Sequence, residues 1–336
     1  MWFEALTGFK EESPTQVRRL LEVKGPFLNS LVNQRSYRFG RLETPSLTDL
    51  RNRNKSFTGS RKLSIQEIVA DVKDLHQIPE NAGALFQAAS QFNLLEMVSP
   101  EVTPERGVGI YEYDRTQGPA CAIACGAGTI YRNYFVPVNG RIGQSATNQI
   151  DCLAAIGRVL GNTDGQLWEM KNGYALASKS GLETINLKLK TLDKAAYEKL
   201  KGHLRIGVQW ETEVTLNTNR QQVTQVYVSA LPVGYSEQAI DLWESLAHLV
   251  LDATYEATFW AAIENYHNTG NNKVFLTLVG GGVFGNDFSW IFSAIVKAVK
   301  KFSHQPLDVY LVSYGHSSEQ VQSFIKSIKF DKPTNH

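Results

Sequence analysis

The run Gly280-Gly281-Gly282-Val283-Phe284-Gly285-Asn286-Asp287 is the part of this sequence best suited to hold a charged ligand. Residues 273–279 before it read as a buried strand, and residues 288–302 after it carry helical apolar spacing. Glycines let the backbone turn sharply and leave its N–H groups uncovered. Those groups, together with the N-terminus of the next helix, make an anion site suited to a diphosphate. Three consecutive glycines cost more chain entropy than a plain strand-to-helix turn requires, which weighs against a turn without a ligand. Gly280, Gly282 and Gly285 also fit G-x-G-x-x-G, so a dinucleotide-binding dehydrogenase is a rival. That fingerprint opens an early βαβ unit and needs an acid at the end of the next strand. Here the loop comes late, and Asp308 stands at the beginning of its strand.

Three carboxylates are candidates for catalysis beside such a loop. Asp287 closes the loop, Asp114 precedes Thr116-Gln117-Gly118-Pro119, and Glu96 follows Leu94-Leu95. Each has a structural alternative: a helix cap for Asp287, an Asx turn for Asp114, a partly buried acid for Glu96. Asn93, Thr116 and Gln117 offer polar groups to a ribose or phosphate, or are turn residues. Phe284 lies beside a sugar or plugs the core. His248, Asp252 and Glu256 align at i, i+4, i+8 and read as a solvated helix face rather than a metal site. No Ser-His-Asp, Cys-His or zinc spacing is present, and no metal or cofactor is expected.

The elements that must position these residues follow an alternating rhythm. Residues 65–69, 85–89, 205–216, 222–231, 273–279 and 308–313 read as strands; 119–134, 237–266, 288–302 and 318–328 read as helices. Ser13 with Pro14 starts a helix over 13–23, and Ser46 with Asp49 has capping-box spacing. Residues 145–160 and 192–202 look helical, and 166–178 look like a hairpin about Asn172-Gly173. Residues 51–62 are basic and read as a solvated connection. The pattern predicts an α/β fold, a mixed sheet between two helical layers. Residues 1–62 form an N-terminal extension, 63–330 the main domain, and 139–205 a central insertion.

Composition bounds the function classes. The chain has 336 residues, 43% hydrophobic and 20% charged, with 34 Lys+Arg against 33 Asp+Glu. That balance supports a large core and excludes global disorder. It also lacks the positive excess that nucleic-acid binding uses. Cys121, Cys125 and Cys152 make no disulfide framework. Neither a signal peptide nor a membrane span is evident, so a cytoplasmic location is expected.

The arrangement resembles the macrodomain family, α/β/α modules that bind ADP-ribose. The resemblance rests on Val69-Ala70-Asp71-Val72, on Phe86-Gln87-Ala88-Ala89-Ser90-Gln91-Phe92-Asn93, and on the 280–287 loop. It implies that Asp71 contacts adenine, that the loop residues Gly280, Gly281, Gly282, Val283, Phe284, Gly285 and Asn286 cradle the diphosphate, and that Gln91 and Asn93 lie at the distal ribose. The usual first glycine-rich loop is absent, and residues 96–119 stand in its place. Asn93-Leu94-Leu95-Glu96 and Asp114-x-Thr116-Gln117-Gly118-Pro119 are similar to an atypical branch. That branch is typified by a bacterial effector that removes ADP-ribose from arginine, including the modified arginine of ubiquitin. The resemblance implies a metal-free hydrolase acting on an ADP-ribosylated protein. A guanidinium has a pKa above ~12 and leaves already protonated, so carboxylates that hold the cation and activate water matter more than a proton donor. Asp287, Asp114 and Glu96 take those roles. The alternatives are a non-catalytic ADP-ribose reader and a hydrolase of small ADP-ribose derivatives.

Overall fold

The computed structural model describes residues 1–57 and 61–328. Residues 58–60 of the basic stretch, and 329–330 of the expected main domain, lie outside the described residues. Seven strands form one sheet: β1 (Arg41–Glu43), β2 (Ser64–Val69), β3 (Leu85–Ala89), β4 (Gly207–Glu213), β5 (Gln222–Val228), β6 (Lys273–Leu276) and β7 (Asp308–Ser313). Their order across the sheet is β1-β4-β5-β3-β6-β7-β2. From β5 through β3, β6 and β7 to β2 every neighbour is parallel, while β4 runs antiparallel to both β5 and β1. The sheet is therefore mixed, as expected.

Helices cover both faces, and adjacent side chains of β3 show it. Successive strand residues point to opposite sides. The Phe86 ring stacks on His76 of helix Val72–Gln77, whereas Gln87 donates to Thr258 Oγ1 of helix Ile240–Thr269. Helix Gln117–Ala124 packs beside the first helix, and Phe288–Lys301 beside the second. The expected strand-loop-helix at 273–302 is present, with the strand ending earlier, at Leu276. Among the described residues no helix is long and apolar enough to cross a membrane.

Several local expectations are corrected. Only Pro14–Leu20 is helical in the first segment; Leu21–Lys24 then pairs antiparallel with Phe27–Ser30 about Gly25, whose φ is 55°. The 119–134 helix is two helices, Gln117–Ala124 and Gly126–Tyr134, broken at Cys125. Gly126 sits where a Cβ would lie 2.7 Å from the Trp2 ring. Within 145–160 only Ala154–Leu160 is helical. Ahead of it, the amides of Gln144 and Asn148 donate to backbone carbonyls of Asn93 and Val138, which favours irregular chain. The hairpin forms as Trp168–Lys171 and Tyr174–Ala177, with Asn172 and Gly173 at φ 47° and 84°. A helix at Lys179–Lys190 follows that the pattern did not mark.

The extension is integral to the sheet. It supplies edge strand β1 and helix Leu47–Asn54, which the Ser46–Asp49 capping box starts. Arg51 is not a solvated link: its Nε donates to Glu256 at 2.7 Å and its Nη2 to Glu198 at 2.7 Å. Nor do Asp252 and Glu256 form a solvated face, because both are buried and ion-paired.

Candidate functional site

Parallel strands leave their C-terminal ends open along one rim, which is where α/β sheets bind ligands. Ala89, Ala230 and Thr277, at or just past the ends of β3, β5 and β6, line a cleft of about 450 Å³ there. The strand exits are firmly held. Thr277 N–H donates to Gln87 Oε1 (3.2 Å), Val279 N–H to Tyr255 Oη (3.0 Å), and the Tyr255 hydroxyl donates to Thr277 O (2.7 Å).

The glycine loop then closes on itself. Asn286 N–H donates to Gly280 O (2.9 Å), Gly285 N–H to Gly282 O (2.9 Å), and Gly234 N–H to Phe284 O (2.8 Å). The Asn286 amide donates to Leu231 O (2.7 Å). Gly280 is required: its φ is +80°, and a Cβ would lie 2.5 Å from Ala230 Cβ. Gly282 faces open space, with nothing within 4 Å of a Cβ built there. The N–H groups of Gly282, Val283 and Phe284 have no protein acceptor among the described residues. Consecutive free amides of this kind bind anionic oxygens.

Glu96 lines the same cleft although only 4% exposed. Its N–H donates to Tyr111 Oη (2.9 Å), and its Oε1 is buried without a hydrogen-bond partner. Gly118 brings the next helix so close that a Cβ would lie 2.8 Å from Glu96 Oε2. Burial pushes the Glu96 carboxyl well above the ordinary carboxylate range; the Arg132 charge opposes this and Asp114 adds to it. Arg132 is itself buried, 3.5 Å from the Tyr227 ring centroid, with Nη1 unpartnered. Asp114 also lines the cleft. Its Oδ1 accepts from Thr116 N–H (2.8 Å) and Thr116 Oγ1 (2.7 Å), the expected Asx turn.

Gln91, Thr116, Gln117, Gly280, Gly282, Val283 and Phe284 join Glu96 and Asp114 at the cleft. Gln91 Oε1 also accepts from Met97 N–H (2.9 Å), closing the turn that presents Glu96. Asp71 lies in an adjoining cavity of about 320 Å³ that shares Asp114, Thr116 and Gln117 with the cleft. Its side chain caps helix Val72–Gln77 through Lys73 N–H (2.9 Å), and Gln117 Oε1 accepts from Val72 N–H (2.8 Å).

Besides Asp71, four expected residues stand outside the cleft lining. Asn93 is fully buried, donating to Gln149 Oε1 (2.8 Å) and accepting from Leu95 N–H (3.1 Å). Gly281, Gly285 and Asn286 shape the loop without lining the cleft. Asp287, expected at the sugar, is a fifth and stands outside the cleft lining. Exposed, it caps helix Phe288–Lys301 by accepting from Ser289 N–H (2.7 Å), and the Ser289 bonds hold its carboxyl below the ordinary range. The helix starting at the next residue offers that cap bond.

No protein-family model and no curated protein matches the sequence. Among solved structures, the chain is similar to poly(ADP-ribose) glycohydrolase from Deinococcus radiodurans in complex with ADP-ribose. Identity is 12%, coverage 84% of this chain and 90% of that one, and the TM-score 0.45. It is also similar to poly(ADP-ribose) glycohydrolase from Thermomonospora curvata bound to the inhibitor ADP-HPD. There identity is 10%, coverage 94% and 97%, and the TM-score 0.41.

Two lining residues carried no signal in the sequence. Tyr174 and Tyr235 meet Phe284 at ring-centroid distances of 5.2 and 5.6 Å, and each other at 5.1 Å. Tyr174 comes from the insertion hairpin, and its hydroxyl donates to Met97 O (2.6 Å). The cleft thus joins a loop with three free amides, two carboxyl groups and an aromatic wall. Such a set can bind a sugar diphosphate and act on a bond at its far end.

Proposed function

We propose that this protein is a hydrolase that releases ADP-ribose from a conjugate. The observation that carries the reading is that three unpartnered amides, at Gly282, Val283 and Phe284, share one cleft with Glu96 and Asp114. The diphosphate lies on those amides, close to the N-terminus of helix Phe288–Lys301. The adenosine extends toward Asp71, in the adjoining cavity. The distal ribose lies against Phe284, its anomeric carbon toward the two carboxyl groups. Asp114 orients the attacking water and offsets the positive charge that develops on the sugar.

The conjugate we favour is ADP-ribosyl-arginine on a protein. Two carboxyl groups beside three aromatic rings suit a guanidinium, which leaves without a donated proton. A second reading is an oxygen-linked ADP-ribose. It draws on the raised Glu96 pKa, because a carboxyl that keeps its proton can deliver it to a departing oxygen. Incubation with arginine-linked and oxygen-linked conjugates, followed by measurement of free ADP-ribose, tests both. Release from arginine alone supports the first reading, and release from oxygen alone the second. Binding without release makes the protein a reader, and absence of binding ends the proposal.

A further inference from the structure

The N-terminal extension contributes no side chain to the cleft itself, although Trp2 lines the adjoining cavity, and it holds the segment from which both acids take their position. Glu11, half-buried, sends its carboxylate across to residues 107–109. It accepts hydrogen bonds from Val108 N–H (3.0 Å), Gly109 N–H (2.6 Å) and the Tyr134 hydroxyl (2.7 Å). The fit is close: a Cβ at Gly107 or Gly109 would lie 2.5 or 2.7 Å from Glu11 Oε2. Trp2 N–H adds a second tie, donating to Glu112 Oε2 (3.1 Å).

Two bonds lead from that anchored stretch into the site. The Tyr111 hydroxyl accepts the Glu96 N–H (2.9 Å), and Asp114 N–H donates to Tyr111 O (3.2 Å). Tyr111 is fully buried between them. We propose that Glu11 is a positioning residue. By gripping Val108 and Gly109 it fixes Tyr111, and through Tyr111 it sets where the Glu96 and Asp114 carboxyl groups stand. The inference rests on the hydrolase reading above. Glu11 touches no cleft atom, so it acts only through its three donors. If the side chain is removed, those donors lose their acceptor at a partly buried site, and residues 107–114 lose their fixed register. The diphosphate loop is pinned separately, through Asn286 to Leu231 and through Gly234 to Phe284. Glu112 and Asp114 also line the adjoining cavity, so Glu11 should govern turnover more than nucleotide affinity.

The test uses the full chain with Glu11→Ala and Glu11→Gln, read by kcat and KM for ADP-ribose release, by calorimetric Kd for ADP-ribose, and by amide hydrogen exchange. Misplacing catalytic groups by a fraction of an ångström should lower kcat about tenfold or more in Glu11→Ala. Kd should change clearly less than kcat, because the amides of the diphosphate loop are untouched. Glu11→Gln keeps one acceptor oxygen and should recover part of the loss. Unchanged kcat in folded Glu11→Ala, or an equal fall in kcat and affinity, overturns the proposal. If Glu11→Ala does not fold, Tyr134→Phe removes one of the three bonds and should give a smaller fall in kcat, again larger than any change in Kd; unchanged kcat there overturns it too. If the wild-type protein releases nothing from either conjugate, the hydrolase reading fails by itself. Exchange then decides the positioning claim: it should quicken at residues 108–114 and not in helix Phe288–Lys301, and unchanged exchange overturns it.

Discussion

Glu96 and Glu256 are both 4% exposed glutamates, and the protein treats them in opposite ways. Around Glu256 the cations crowd in. Arg51 reaches it through Nε (2.7 Å) and Nη2 (2.9 Å), Lys201 at 3.1 Å, and Lys301 also pairs with it; Trp260 Nε1 donates at 3.2 Å. Burial alone would raise its carboxyl, but the Arg51 and Lys301 hydrogen bonds and the lysine charges bring it down to about 2. Glu96 has no cation within ion-pairing distance among the described residues, one orphaned oxygen, and a carboxyl pushed upward by burial. The Glu256 cluster ties the extension, the insertion and two core helices together, and its charges are satisfied. Glu96 is left unsatisfied at a cleft. An unpaired buried carboxyl destabilises the fold, and such groups persist where function needs them.

Substitution separates the two glutamates. Glu96→Gln should lower release from an oxygen-linked conjugate by about a hundredfold or more, by removing the proton donor that the second reading assigns to it. It should not lower the melting temperature. The sign is fixed by linkage: the folded-state pKa of Glu96 is raised, so the stability it carries is full below its unfolded value of 4.5 and is lost as pH rises through the folded value. Denaturant unfolding of Glu96→Gln above that pH should therefore show equal or greater stability than wild type. A large loss of stability would make Glu96 a structural acid.

Glu256→Gln should do the reverse. It leaves buried or half-buried cations uncompensated and should cost about 3 kcal/mol at neutral pH, with turnover per folded molecule unchanged. Its folded pKa is depressed, so its contribution is present above 4.5 and lost as pH falls toward about 2. Acid titrations of stability should lose that limb in the variant.

The two faces of the loop make a smaller contrast. Gly282→Val projects into open space and should leave the melting temperature within a degree or two while weakening ADP-ribose at least about tenfold, read by calorimetry. Gly280→Ala forces a Cβ against Ala230 at positive φ and should lower stability instead. The smallest effect belongs to Asp287→Ala. Loss of a cap costs about 1 kcal/mol, and turnover should fall less than a few-fold.

Local patterns were readable wherever neighbouring residues decide them. The glycine loop between strand and helix, the Asn172-Gly173 hairpin, the Ser46–Asp49 capping box and the Ser13 cap all depend on near neighbours. Asp114 shows both features weighed for it: it makes the Asx turn and lines the cleft. What escaped depends on distant partners. Arg51 looks like a surface cation until Glu256, 205 positions away, is brought to it. Tyr174 reaches the cleft because its hairpin folds against the Glu96 segment, where Phe92 N–H donates to Gly173 O (3.0 Å). Asp287 was ambiguous for a local reason: the residue that ends the glycine loop is also the residue that caps the next helix.

The most direct measurement follows the backbone amide resonances of Gly282, Val283 and Phe284 as ADP-ribose is added to the labelled protein. Those three should move and saturate together, with residues 96 and 114–117 following and the amides around Glu256 unmoved. Saturating shifts at other surfaces, with these three amides silent, would contradict the cleft as the place where the ligand is held.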